Sequence, residues 1–176
     1  MKFKNKYWVH IVLWGAMILF LFIAPPIKDK LTIVEGMPVD LGNVSLESAG
    51  IIRFNIDKAS EVKSGRQMLY RVNGWSFIEE DVKQTNFEVF LVLSSAEDTY
   101  FFATIRGDRD DVEKAFPEFT SDLSKSGFTA LIARELMKNG EYRIGFLHKD
   151  KASGETIYQA TEKYLVKTLN KINLSE

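Results

Sequence analysis

The residues that could do chemistry are few in this chain. Its 176 residues include two histidines, His10 and His148, and no cysteine. Thiol nucleophiles, disulfides and cysteine-bound metals are therefore excluded. Two histidines are too few for a zinc site, which takes three or four nitrogen or sulfur ligands. His148 continues the alternation of Tyr142, Ile144 and Phe146, so we expect it at the end of an inward strand face.

Acidic residues are the other candidates for catalysis or metal binding. Glu79, Glu80 and Asp81 would serve a glycosidase only if two carboxylates faced one cleft, and their spacing favours a solvated turn. A second cluster, Asp108, Asp110 and Asp111, offers oxygen ligands for calcium but lacks the EF-hand spacing. The sequence therefore predicts no catalytic residue, no cofactor and no metal site.

The tripeptide 106–108, Arg-Gly-Asp, matches an adhesive motif, and three aromatic residues suggest a binding surface. We interpret the tripeptide as a plain loop and leave its role open. Phe90, Tyr100 and Phe102 fall on the strand parity opposite to the predicted core. Such a patch would bind a partner, a sugar or the membrane surface. The alternative is that a second sheet or the N-terminal linker covers these rings.

Residues 8–27, from Trp8 to Ile27, contain no charged side chain and are mostly apolar, with lysines on both sides. The helix would end before Pro25 and Pro26 and be roughly 25 Å long, close to the hydrocarbon thickness of about 30 Å. We predict a single-pass signal anchor that contacts the lipid bilayer. A cleaved signal peptide is the alternative, although a small-residue pair before Pro25 is missing. His10 lies in this stretch, where a neutral interfacial histidine is expected.

The lysines predict the orientation of the anchor. Lys2, Lys4 and Lys6 precede it without an acidic residue, whereas acidic residues follow it. The positive-inside rule then places the N-terminus in the cytoplasm and residues 28–176 outside the cell membrane. Residues 31–176 are net acidic, which argues against a nucleic acid partner.

Beyond the anchor, short apolar runs alternate with turn signals, and no long amphipathic helix is indicated. Strands are predicted at 51–56, 87–93, 99–105, 128–133, 142–148 and 156–161, with another running from Met68 into Gly74. We predict an all-β, immunoglobulin-like or fibronectin-like β-sandwich following a single N-terminal transmembrane helix. The boundaries are 1–7 for the cytoplasmic tail, 8–27 for the anchor, 28–50 for a linker, 51–167 for the sandwich and 168–176 for a flexible tail.

Two local patterns carry structural predictions. Gly74 lies within a strand, where glycine often marks a bulge, so Trp75 and Phe77 are expected to turn inward after it. Leu136, Gly140 and Tyr142 have the L-x-x-x-G-x-Y spacing of a tyrosine corner, in which the phenol bonds back to the backbone.

Several of these segments together resemble a small β-sandwich domain of bacterial envelope proteins. They are 73–78 (NGWSFI), 111–112 (DV), 115–116 (AF), 126–130 (SGFTA) and 139–145 (NGEYRIG). That largely uncharacterised domain occurs in membrane-anchored proteins and in outer parts of glycosyltransferase-like membrane proteins. The resemblance spans about residues 50–166 and rests on turn glycines, core aromatics and the tyrosine corner. It implies a place outside the membrane near envelope-polymer enzymes, without a catalytic activity.

The sequence therefore predicts a membrane-anchored, non-catalytic binding or accessory protein. It would assist envelope glycan assembly or export, with another membrane or envelope protein as its partner. A carbohydrate-binding or surface-adhesion module, with a glycan as ligand, is the alternative. A hydrolase is the least favoured reading, because no base, nucleophile or metal cluster is indicated.

Overall fold

A computed structural model describes residues 36–47, 50–64, 67–80, 82–169 and 171–175. The predicted anchor, including His10, lies outside the described residues. The strands are β1 (Ile52–Ser64), β2 (Gln67–Ile78), β3 (Phe87–Ser94), β4 (Thr99–Gly107), β5 (Gly127–Ala133), β6 (Gly140–Asp150), β7 (Thr156–Lys167) and β8 (Ile172–Ser175). A short helix, α1 (Asp110–Ala115), follows β4. The predicted all-β class is confirmed.

The strands form one antiparallel sheet in the order β1-β2-β5-β4-β3-β6-β7-β8. This corrects the predicted sandwich of two separate sheets. The physical reason lies in β4, which changes partner along its length: Thr99 to Ala103 pair with β3, and Thr104 to Gly107 pair with β5. One strand thus carries the backbone ladder from one half of the fold into the other.

The two edges of the sheet approach each other, so the sheet is nearly closed. Contacts join β1 to β7 and β8, and the backbone N–H of Ile52 donates to Oε1 of Gln159 in β7 at 2.6 Å. The prediction of a flexible tail at 168–176 is wrong, because part of this segment is a paired strand. Its residues 172–175 form β8, which pairs with β7, and Ile172 is only 3% exposed.

The interior of the sheet is filled by large apolar side chains from every strand. Because strand side chains alternate between faces, the inward positions recur at every second residue. Buried members of this core include Ile52, Tyr70, Val72, Val89, Leu91, Leu93, Phe102, Phe128, Ile132, Tyr142, Ile144, Phe146 and Leu165. This core holds the positions from which the candidate site is built.

Gly74 does lie at a bulge, but the extra residue is in the partner strand. The β1–β2 register passes from Ile56↔Gly74 to Lys58↔Asn73, so Asp57 has no partner residue in the β2 register. A Cβ on Gly74 would come within 1.9 Å of the carbonyl oxygen of Asn55, so only glycine fits there.

Since the extra residue belongs to β1, the alternation of β2 continues unshifted, and the predicted inward turn of two aromatics is wrong. Trp75 and Phe77 lie on the face opposite to the core. They pack there in a separate cluster beneath α1 and the loop after it. The other members of that cluster are Val112, Phe116, Phe119 and Leu123.

The predicted linker also packs on the sheet where it is described. The N–H of Val39 donates to the carbonyl of Phe101 at 2.7 Å, and the N–H of Ala133 donates to the carbonyl of Gly36 at 2.8 Å. Residues 36–39 thus bridge the ends of β4 and β5 that do not pair with each other. Beyond them, Leu41, Val44 and Leu46 cover an apolar cluster on the outer face of β3 and β6.

The hydrogen bond of the predicted tyrosine corner is present. The hydroxyl of Tyr142 donates to the carbonyl of Lys138 at 3.1 Å, and its ring is 1% exposed. Leu136 is 43% exposed and does not join the core, whereas its neighbour Met137 is 5% exposed and does. The motif therefore fixes the turn into β6 through the phenol and Met137.

Candidate functional site

The three aromatic residues predicted as a binding surface do not form one. Phe102 is 1% exposed inside the sheet, and Tyr100 is half-buried against the same core with its ring 5.6 Å from that of Tyr142. Phe90 is 5% exposed on the other face, where the segment 36–47 covers it. The rings therefore face two different sides of β3 and β4. For Phe90 the alternative interpretation applies, because the predicted linker covers its ring.

Three residues of the two acidic clusters form ion pairs at the surface. Glu79 pairs with Arg53, and Asp108 pairs with Lys125. Hydrogen bonds from Arg109 hold the pKa of Asp111 down at about 2. Asp81 lies outside the described residues. Within the described ranges, the histidine, aspartate and glutamate side chains do not cluster in threes as a metal site requires.

Arg106 of the adhesive tripeptide points into the fold. Its guanidinium donates to the carbonyls of Lys125 at 2.9 Å, Gln84 at 2.9 Å and Phe87 at 3.1 Å. Those three bonds tie β4 to the loops before β3 and β5. Arg106 is therefore a structural residue, whereas the Asp108 side chain is 71% exposed and pairs with Lys125.

Between β3 and β4 the sheet opens. Their ladder runs from Ser94↔Thr99 to Phe90↔Ala103 and stops there, because the next residues of β4 pair with β5. Two side chains of β4 bridge the gap in place of the backbone. Thr104 donates its hydroxyl to the carbonyl of Val89 at 2.8 Å, and Arg106 reaches Phe87. We call the opening the seam groove.

The seam groove has a volume of about 440 Å³. Its apolar wall consists of Val39, Leu41, Phe87, Val89, Phe90 and Ala103. Its polar side chains are Glu88, Thr104, Arg106 and Lys151. Such a combination of an apolar wall with a few polar groups is typical of a small-molecule site.

The charges at the seam groove leave an excess of positive charge. The Lys151 ammonium donates to the carbonyl of Thr85 at 2.8 Å, and Arg106 also bonds only neutral carbonyls. Neither side chain forms a salt bridge with another described residue. Glu88, the carboxylate of the lining, stands opposite Lys149 in the β3–β6 register. Burial lowers the pKa of Arg106, which is the response of a cation without a neutralising partner.

A buried polar pair lies behind the groove. Nε2 of His148 is 3.0 Å from Oγ of Ser76, and both residues are 0% exposed. The ring of Phe87, which lines the groove, is 6.4 Å from the imidazole. Burial first, and the nearby Arg106 charge second, lower the pKa of His148 to about 3. His148 is thus the strand-end histidine expected from the sequence, held neutral and with its Ser76 bond.

The sequence contains a signal for this site. The inward positions of β4 read Tyr100, Phe102, Thr104 and Arg106, and they change from aromatic to polar at the residue where β4 changes partner. Lys151 follows β6 in a turn, and its position at the groove depends on the register.

Among the residues that the structure describes, none belongs to a helix long and apolar enough to cross a membrane. No protein-family model, curated protein or solved structure matches this chain.

Proposed function

We propose that this chain is a membrane-anchored, extracytoplasmic binding protein, and that the seam groove is where it binds. The observation that carries the proposal is the opening between β3 and β4, walled in part by Val39 and Leu41. Those two residues belong to the segment that follows the anchor proposed at 8–27. A bound molecule would then contact both the sheet and the predicted linker.

The protein acts in this proposal by recognition, as an accessory subunit of envelope glycan assembly or export. The anchor proposed at residues 8–27 supports a membrane setting, and the buried state of the Ser76–His148 pair supports a non-catalytic role. A serine nucleophile must reach its substrate, and both of these side chains are 0% exposed.

The orientation is tested with a single cysteine. Because the chain has no cysteine, Glu97→Cys introduces a unique thiol in the exposed turn between β3 and β4. We expect a membrane-impermeant maleimide to label it in intact cells as fully as after lysis. A cysteine at Lys4, in the proposed cytoplasmic tail, serves as the control and should be labelled only after lysis. Labelling of Glu97→Cys only after lysis would refute the extracytoplasmic placement.

The binding role is tested by filling the groove. Ala103 is exposed and lines the groove, so Ala103→Trp should block it without disturbing the core. Lys58→Trp places the same side chain at an exposed position of β1 and is the matched control. We expect partners that co-purify with the wild type in mild detergent to be retained by Lys58→Trp and lost with Ala103→Trp. Identical sets from both variants would contradict the groove as the binding site.

A further inference from the structure

The seam groove has the features of a site for an anion that carries an apolar body. Its two cations, Arg106 and Lys151, bond only backbone carbonyls among the described residues. Buried or half-buried charges are normally paired, because desolvation of an unpaired charge is costly. Arg53, on β1, is paired in this way with Glu79. Arg106 and the buried Lys167 bond only neutral oxygens among the described residues, and of these two Arg106 lines the groove.

Both cations retain unused donors. A guanidinium carries five N–H groups, and the bonds of Arg106 use three of them at most; an ammonium carries three, and Lys151 uses one. The remaining N–H groups are suited to carboxylate or phosphate oxygens, with which charged donors form short, strong bonds. The neutral His148 behind Phe87 adds no positive charge of its own.

The apolar wall of the groove has free surface. Val39 is 38% exposed, Ala103 is exposed, and Leu41 and Phe87 are half-buried. An inorganic ion would leave this wall in water, whereas a short hydrocarbon chain would cover it. Removing this apolar surface from water favours binding, so such a chain adds to the affinity.

We infer that the seam groove binds an anionic amphiphile: a phosphate or carboxylate head held by Arg106 and Lys151, and a hydrocarbon chain against Val39, Leu41 and Ala103. This inference deepens the proposed function and rests on it, because it names the ligand class of the same groove. The ligand can come from the lipid phase or from solution, and its chemistry is the same in either case.

The test uses the full chain in nanodiscs of zwitterionic phosphatidylcholine, with empty nanodiscs as the background. Equilibrium dialysis measures protein-dependent binding of octyl phosphate, octanol and inorganic phosphate. We expect octyl phosphate to bind about tenfold or more tightly than either of the other two, since each lacks one half of the ligand. If octanol bound with the same affinity as octyl phosphate, the role of the cations would be overturned. If inorganic phosphate bound with the same affinity as octyl phosphate, the role of the apolar wall would be overturned and the site would be assigned to a free anion.

Variants place the binding in the groove. Lys151→Gln removes one charge from an exposed side chain, and we expect it to weaken octyl phosphate binding about tenfold. Ala103→Trp should abolish the binding, and Lys58→Gln, a charge removed from β1, should leave it unchanged. Arg106→Gln is less informative alone, because Arg106 also holds three carbonyls of the fold. Equal affinity in Ala103→Trp and the wild type would overturn the assignment.

Failure of this inference is distinguishable from failure of the proposed function. If octyl phosphate does not bind but co-purifying partners are still lost with Ala103→Trp, the ligand class is wrong and the binding role stands. If Ala103→Trp changes neither measurement, both are rejected.

Discussion

Lowering the pH from 7.5 to 5.5 should destabilise the wild-type protein by about 1.4 kcal/mol more than a variant with His148→Gln. By pH 4.5 the difference should be about twice as large. His148 is the residue responsible, because it is fully buried and its pKa is lowered to about 3, mainly by burial and secondarily by Arg106.

The sign follows from where the proton binds. In the unfolded chain the imidazole has its ordinary pKa of about 6.5, whereas in the folded protein it stays neutral down to about 3. Between those values the unfolded state binds more protons, so stability falls as the pH falls. At about pH 7.5 and above, the histidine is almost entirely neutral in both states, and its contribution to the pH dependence is nearly absent.

Glutamine is the appropriate replacement because its amide can reach Ser76 as Nε2 does, at 3.0 Å, and it does not titrate. The measurement is urea unfolding of the full chain in detergent, followed by near-ultraviolet circular dichroism at each pH. Between pH 7.5 and 5.5, carboxylates such as Asp111 stay ionised in the folded protein. The pKa of Asp111 is about 2, so its contribution to the free energy of unfolding is lost only in stronger acid. A free energy of unfolding that falls equally in both proteins would show that His148 is not buried in its neutral form.

The positions of the strands could be predicted from the sequence, because alternation and turn residues act locally. The predicted ranges 87–93, 99–105 and 128–133 lie within two residues of β3, β4 and β5 at each end. The strand predicted at 51–56 is shorter than β1. β1 continues to Ser64 through charged residues, which face solvent on a long hairpin with β2.

The arrangement of those strands could not be predicted in the same way. Whether eight strands form two sheets or one depends on the partner that β4 chooses at each end, and this choice is made by contacts distant in the sequence. The 36–39 segment shows the same dependence. Its residues look like a linker, and only the unpaired ends of β4 and β5 give it a place in the fold.

The candidate site was missed because it arises from this arrangement. Parity along one strand says which residues share a face, but it does not say which face of β3 matches which face of β4. Phe90 stands opposite Ala103 and Leu91 stands opposite Phe102, so Phe90 and Phe102 face different sides. A patch inferred from equal parity in two strands was therefore split between the interior and the covered outer face.

That correction leads to the second large effect. Phe102→Ala should lower the free energy of unfolding by about 3–5 kcal/mol, because it removes a fully buried ring from the centre of the sheet and leaves a cavity. Phe102 contacts the same core as Tyr142 and Leu91, and its ring is 6.4 Å from that of Tyr100. Urea unfolding at pH 7.5 measures the change, and the slope with denaturant should be nearly unaltered if only stability changes.

Ile105→Ala is the matched control on the same strand. Ile105 is 67% exposed, so its truncation should change the free energy of unfolding by no more than about 0.5 kcal/mol. If Phe102 instead belonged to an exposed binding surface, the two variants would have similar stability and Phe102→Ala would lose affinity for the ligand. We expect the opposite, since a ring at 1% exposure contributes to the fold and has no free face with which to stack on a sugar or a partner.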